Sequence, residues 1–174
     1  MDTLQSCLNL MSPACFMGSI DLTDAYYSVA IHKDSQKFLK FRFVGQLYCF
    51  TAMPNGLAPA PRTWTLLLKP VFAYLRDQGH MSSGYLDDTF LAGQTWQQCQ
   101  ENIQETLKLF TNLGFFINTK KSVTTPTQKL EHLGFILDSI KMTVTVNEEK
   151  LVKIQKMGSK LINSHKCQIR RQLN

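Results

Sequence analysis

Three aspartates are the residues of this chain best suited to chemistry. Asp21 follows the short apolar stretch 16–20, and Asp87 and Asp88 stand as a pair 66 residues further on, between two short strand-like segments. Carboxylates brought to one place repel, and their cluster is unfavourable unless a cation neutralises it. Short, hard oxygen ligands with room for water and phosphate suit Mg²⁺, with Mn²⁺ as a substitute. Two such ions about 4 Å apart clamp the attacking and leaving oxygens of a phosphoryl transfer. An Asp-Asp pair alone is equally well explained as a polar hairpin turn, so the weight lies in the set and its context. Other metal chemistry is poorly supported. The five cysteines (7, 15, 49, 99, 167) are odd in number and lack a C-x-x-C, and the four histidines (His32, His80, His132, His165) are scattered without an H-E-x-x-H. This argues against a zinc site or a disulfide scaffold and for reduced thiols.

The elements that must position the acids follow from pattern. Residues 16–20 read as a buried strand ending in Asp21. The aromatic and β-branched run 24–31 reads as strand rather than helix. Residues 39–43 and 47–53, joined by Val44-Gly45-Gln46, read as a hairpin with one wet face. Met53-Pro54-Asn55-Gly56 is a loop. A helix is expected from Pro59 or Pro61 to Gln78, stopped by Gly79 and kinked or split at Pro70. Short strands at 82–85 and 89–92 flank Leu86-Asp87-Asp88. Thr95 and Gln98 form a capping box for a helix with Ile103, Leu107, Phe110 and Leu113 on one face, ended by Gly114. A strand at 115–118 follows. Residues 133–137 and the alternating Ile140, Met142, Val144 and Val146 make a second hairpin, and Asn147 caps a last helix from Glu148 to about Ile162.

Without the inserted hairpin the order is strand, helix, strand, strand, helix, strand. This is the α+β, ferredoxin-like split β-α-β plait. Its first two strands run parallel with the third between them, so their C-terminal ends share one rim. Asp21 would then meet Asp87 and Asp88 in space.

The 174 residues, 44% hydrophobic and 18% charged, are enough for one domain with a sizeable core plus a short appendage. No apolar run approaches the ~20 residues of a membrane span, and the N-terminus lacks the basic flank and apolar stretch of a signal peptide. The expectation is an intracellular protein, cytoplasmic or nuclear, neither secreted nor membrane-bound. Of the formal net charge of +6, the seven basic and two acidic residues from Asn147 onward account for +5. A polyanionic partner explains that tail; so does a solvated helix face.

Five segments, 19–31 (SIDLTDAYYSVAI), 50–62 (FTAMPNGLAPAPR), 84–91 (GYLDDTFL), 113–122 (LGFFINTKKS) and 132–137 (HLGFIL), resemble the successive palm motifs of reverse transcriptases, in order and spacing. The surrounding phrasing is most similar to retrotransposons of the DIRS class, relatives of gypsy-like elements. The resemblance implies an RNA-directed DNA polymerase that adds deoxynucleoside triphosphates to a primer 3′-hydroxyl on an RNA or DNA template, using two Mg²⁺ ions. Asp21 and Asp87 would ligate both metals, with Asp88 a third ligand or close support and the Leu22 carbonyl a further one. Tyr26 matches the aromatic that excludes a ribose 2′-hydroxyl; a plain core aromatic is the alternative. Asn55 stands where many retroviral enzymes carry Gln, and Gly56 would let the backbone approach the templating base pair. Tyr85 heads the tyrosine–apolar–Asp–Asp turn. Lys121 matches the lysine that protonates pyrophosphate, with Lys120 a close competitor and a solvated turn the alternative for both. Leu133, Gly134 and Phe135 resemble the primer grip, though an ordinary hairpin glycine also explains them.

The resemblance implies a palm over residues 1–146, with the start of a thumb over 147–174. Only 20 residues precede Asp21, where the family normally has fingers, and 167–173 reads as the opening turn of a further helix. No second acidic set suggests ribonuclease H. The chain is therefore expected to be a retroelement-derived fragment that binds metal weakly and polymerises poorly. The competing readings are an inactive remnant that binds nucleic acid, an RNA-dependent RNA polymerase, which usually carries Gly before Asp-Asp, and a non-enzymatic α/β interaction domain.

Overall fold

A computed structural model describes residues 3–162; the helix expected at 167–173 lies outside them. The first element, α1 (Leu4–Leu10), was not anticipated. Thr3 donates its backbone N–H to Ser6 Oγ at 3.1 Å, satisfying a donor at the helix start. Then come β1 (Phe16–Thr23), a 3₁₀ turn (Ala25–Ser28), α2 (Lys33–Gln36), and a two-stranded ribbon of β2 (Lys40–Phe43) and β3 (Gln46–Cys49). Next are α3 (Ala60–Asp77), β4 (Met81–Tyr85), β5 (Asp88–Gly93), α4 (Trp96–Asn112), β6 (Phe116–Ile117) and β7 (Val123–Thr127). The described chain ends with β8 (Lys129–His132), β9 (Phe135–Asp138), β10 (Thr143–Val146) and α5 (Glu148–Ile162).

The main sheet has the order β4-β5-β1-β6, with β7 also pairing β1. β5 runs antiparallel to both β1 and β4. So β1 and β4 are parallel with β5 between them, as the plait requires. Side chains alternate across the sheet. Ile20, Leu22 and Leu91 face α3 and α4 in a core with Trp64, Leu68, Phe72, Ile103 and Phe110. Met17, Phe90 and Ala92 face the other way, against Cys7 of α1 and Leu130 and Leu137 of the β8-β9-β10 sheet. Both faces of β1 are thus covered along most of its length, which is why the run preceding Asp21 is apolar.

Several expectations need correction. Residues 25–28 form a 3₁₀ turn rather than strand, because Asp24 enters it with a left-handed φ of 52° that no strand accommodates. Only an isolated bridge, Ala30 to Ala52, is left of the expected strand there. β2 and β3 are exposed on both faces, not one. Pro70 does not split α3, which is assigned without a break; Pro70 and Leu66 are exposed, so the carbonyl four residues back that loses its partner faces water. The second hairpin is a three-stranded sheet, since Lys129–His132 adds an unpredicted strand. The expected helix caps are present. Gln98 N–H donates to Thr95 Oγ1 at 3.2 Å, and Lys150 N–H to Asn147 Oδ1 at 2.9 Å. Among the described residues no helix is long and apolar enough to cross a membrane.

Candidate active site at the sheet rim

Asp21 and Asp88 are directly opposed in the β1–β5 register. Tyr85 pairs with Asp88 across the β4–β5 hairpin, leaving Leu86 and Asp87 as a two-residue loop. A loop of this length matches the twist of its strands when its first residue has positive φ, a place that favours glycine. Here it is a leucine, Leu86, at φ 55°. Two bonds over-determine that strained turn. Trp64, buried in α3, donates Nε1–H to the Leu86 carbonyl at 2.8 Å. The Leu22 N–H donates to the Asp87 carbonyl at 3.0 Å, tying the turn to β1.

The other edge of β1 is fixed as firmly. Asn118 N–H donates to the Asp21 carbonyl at 2.9 Å. Asp21 N–H donates to Ser122 Oγ at 3.0 Å, and that hydroxyl donates to the Asn118 carbonyl at 2.7 Å. This clasp holds the loop that carries Lys120 and Lys121 beside the acids. Neither Trp64 nor Ser122 was singled out from sequence; an indole or hydroxyl gives no signal until its distant backbone partner is known.

Two of the carboxylates act on the third. Asp88 is pushed up to about 6, first by burial and then by the charges of Asp87 and Asp21, while Lys121 pulls it back. Lys121, rather than Lys120, is therefore the lysine whose field reaches the cluster. Asp87 itself is exposed at the tip of the turn. Tyr26 lies on the 3₁₀ turn, with its phenol raised by burial and then by Asp87 and Tyr85. Its ring meets Trp64 edge-on, centroids 6.3 Å apart. So Asp21, Asp87, Asp88, Tyr26, Tyr85 and Lys121 converge, with Leu22 buried beneath them. Among the described residues no three His, Cys, Asp or Glu side chains are placed so that together they could hold a metal ion, so Asp21, Asp87 and Asp88 share one rim without forming a ready-made site as their side chains stand.

Asn55 and Gly56 are exposed in the loop before α3, Gly56 at φ 83°. Among the described residues no hydrogen bond or ion pair joins Asn55 to the acids. Leu133, Gly134 and Phe135 lie at the β8–β9 turn, in the second sheet. A cleft of about 330 Å³ lined by Trp64, Leu68, Phe72, Gly84 and Leu86 lies on the α3 side of the turn, away from the face that Asp21 and Asp88 share.

Comparison with known proteins agrees with this fold. Residues 1–137 match the family described as reverse transcriptase (RNA-dependent DNA polymerase). The Gag-Pro-Pol polyprotein of Human T-cell leukemia virus 2 is 30% identical over 128 residues, 68% of this chain and 9% of that protein. The Pro-Pol polyprotein of Simian foamy virus type 3 is 26% identical over 117 residues, 67% of this chain and 10% of that protein. The chain thus spans about a tenth of the length of these relatives. Among solved structures, the foamy viral protease-reverse transcriptase dRH in complex with double-stranded DNA superposes with a TM-score of 0.73 at 22% identity, over 89% of this chain and 26% of that one. The foamy viral protease-reverse transcriptase in complex with an RNA/DNA hybrid gives 0.69 at 23%, over 86% and 20%. The fold is of the reverse transcriptase polymerase type. The chain belongs to the reverse transcriptase family.

Proposed function

We propose that this domain adds deoxynucleotides to a primer 3′-hydroxyl on an RNA or DNA template. The observation that carries the reading is the register that opposes Asp21 to Asp88 and suspends Asp87 beside them. Asp88, whose hold on a proton is raised by burial and by the charges of Asp87 and Asp21, belongs to a donor set short of positive charge, and hard carboxylate oxygens fit Mg²⁺ or Mn²⁺. Asp21 and Asp87 would hold two ions, with Asp88 and the Leu22 carbonyl in support. When bound, the ions supply charge neutralisation at the triphosphate and a lowered pKa at the primer hydroxyl.

The remaining roles belong to the chain itself. Tyr26, braced by Trp64, presents a flat ring that leaves no room for a ribose 2′-hydroxyl. Lys121 donates the proton that departing pyrophosphate takes up. Asn55 and Gly56 meet the templating base pair, Tyr85 borders the same site, and Leu133, Gly134 and Phe135 hold the primer end. In this reading residues 1–146 are palm and 147–174 begin the thumb, where lysines such as the exposed Lys153 touch duplex phosphates without regard to sequence. Template–primer binding is supported by the nucleic acid named in the foamy viral structures. The motif phrasing favours a retrotransposon of the DIRS class working inside the cell, while the family itself extends to retroviral polyproteins.

The test is extension of a DNA primer on a homopolymer RNA template with Mg²⁺ or Mn²⁺. Slow, metal-dependent, deoxynucleotide-selective incorporation is expected, falling by about a hundredfold or more in Asp87→Asn. Extension indifferent to that change, or preferring ribonucleotides, overturns the reading. Binding of template–primer without extension assigns the chain to the nucleic-acid-binding alternative.

A further inference from the structure

The turn between β8 and β9 has two consecutive residues in the left-handed region, Leu133 at φ 52° and Gly134 at φ 74°. A leucine there is strained and persists only where its surroundings over-determine it. The first turn of α5 provides that restraint through two residues. Asn147 donates its backbone N–H to the Gly134 carbonyl at 3.3 Å and its side-chain Nδ2–H to Glu131 Oε1. Asn147 Oδ1 in turn accepts the Lys150 N–H. Lys150 then folds back over the turn. Its ammonium donates to the Leu133 carbonyl at 3.4 Å and lies 4.0 Å from the centre of the Phe135 ring. Its stem fills the space beside Gly134, where an added Cβ would come within 3.2 Å of Lys150 Cδ. A cleft of about 310 Å³ lies between turn and helix, lined by Leu133, Gly134, Asn147, Lys150 and Lys153. Lys150 is half-buried and engaged, whereas Lys153, one turn on, is exposed.

We propose that Asn147 and Lys150 are positioning residues that lock the Leu133-Gly134-Phe135 turn to α5, so that turn and helix hold the primer end as one body. The assignment to the primer rests on the function proposed above; the lock itself rests on the contacts. An ammonium committed to a carbonyl and an aromatic ring is not free for phosphate, so Lys150 and Lys153 have different effects despite equal charge.

The full chain is tested unaltered, in four single variants and in one double variant. Lys150→Met keeps the stem and removes the ammonium, Lys150→Arg keeps a cation able to reach carbonyl and ring, Lys153→Met removes a neighbouring charge, and Phe135→Leu removes the ring. Two quantities are measured: amide hydrogen exchange over residues 131–135 and 147–151, and the affinity for a recessed DNA primer on an RNA template relative to the blunt duplex. Lys150→Met is expected to accelerate exchange in both segments and to lower the recessed-to-blunt preference, each about threefold to tenfold. Lys150→Arg restores both. Lys153→Met weakens both affinities together and leaves the preference and the exchange unchanged. Combining Lys150→Met with Phe135→Leu is no worse than the worse single change. Unchanged exchange in Lys150→Met, or a Lys153→Met effect equal to it, overturns the lock. If exchange responds but the unaltered chain shows no preference for a recessed end, the primer assignment falls together with the function it rests on, and the lock stands.

Discussion

Asp88 shows how a residue suited to chemistry is costly to the fold that carries it. Its proton affinity is raised from the ordinary carboxylate value of 3.8 to about 6 by burial and two acidic neighbours. A carboxyl that holds its proton more tightly when folded favours the native state below pH 3.8, and that contribution is lost as pH rises through 6. At neutral pH and without divalent metal, Asp88→Asn is therefore expected to stabilise the domain, by about 1–2 kcal/mol after discounting for solvent screening at this partly exposed site. Urea denaturation at pH 7 measures it, and added Mg²⁺ should erase the gain by stabilising the unaltered protein alone. At this scale the sequence was readable in what it brings together: the aspartates, Tyr26 and Lys121 stand in motifs resembling those of reverse transcriptases, and they meet at one rim. It was silent on Trp64 and Ser122, whose partners lie 22 and 101 residues away.

Among the elements, the β4–β5 hairpin depends on how closely α3 lies against it. A Cβ added to Gly84 would sit 2.2 Å from Phe72 Cε2, so ring and strand are in contact only because that side chain is missing. Gly84→Ala must displace the buried Phe72 ring. We expect a loss of about 1–3 kcal/mol, read by thermal unfolding, with Phe72→Leu in the same chain recovering part of it. The long helices α3, α4 and α5 were legible because caps and a 3.6-residue period are local signals, whereas α1 and α2, of seven and four residues, are too short to show that period. The strand expected at 24–31 failed because one aspartate adopts a left-handed backbone within a β-rich composition. β7 was missed because Val123–Thr127 is polar and contains Pro126, and the strand pairs only along one edge of β1.

At the scale of the whole molecule, the seam between the two sheets is sensitive to acid. His132, at the end of β8, is 4% exposed and lies 5.6 Å from the Phe90 ring of β5, centre to centre. Its Nε2 has no hydrogen-bond partner, and burial lowers its pKa to about 4. Because the folded value lies below the ordinary 6.5, stability is complete above pH 6.5 and is lost as pH falls through 4, by up to about 3 kcal/mol. Asp88 acts in the opposite sense over an overlapping range, so single variants are needed to separate them. His132→Gln should flatten the acid limb of a stability profile taken from pH 7 to 4, and Asp88→Asn should steepen it. The plait was legible from element order alone; the seam was not, because nothing local marks His132 as buried.

The opposition of Asp21 to Asp88 is also a matter of parity. Side chains alternate along β1, so deleting one residue between Phe16 and Asp21 would turn the carboxylate toward the helix-side core and bring an apolar side chain to the rim. The β2–β3 ribbon carries no such arithmetic, since both of its faces meet solvent. Changes in chain length are therefore expected to be tolerated in the ribbon and excluded from the strand, whatever the chemical character of the residues gained or lost.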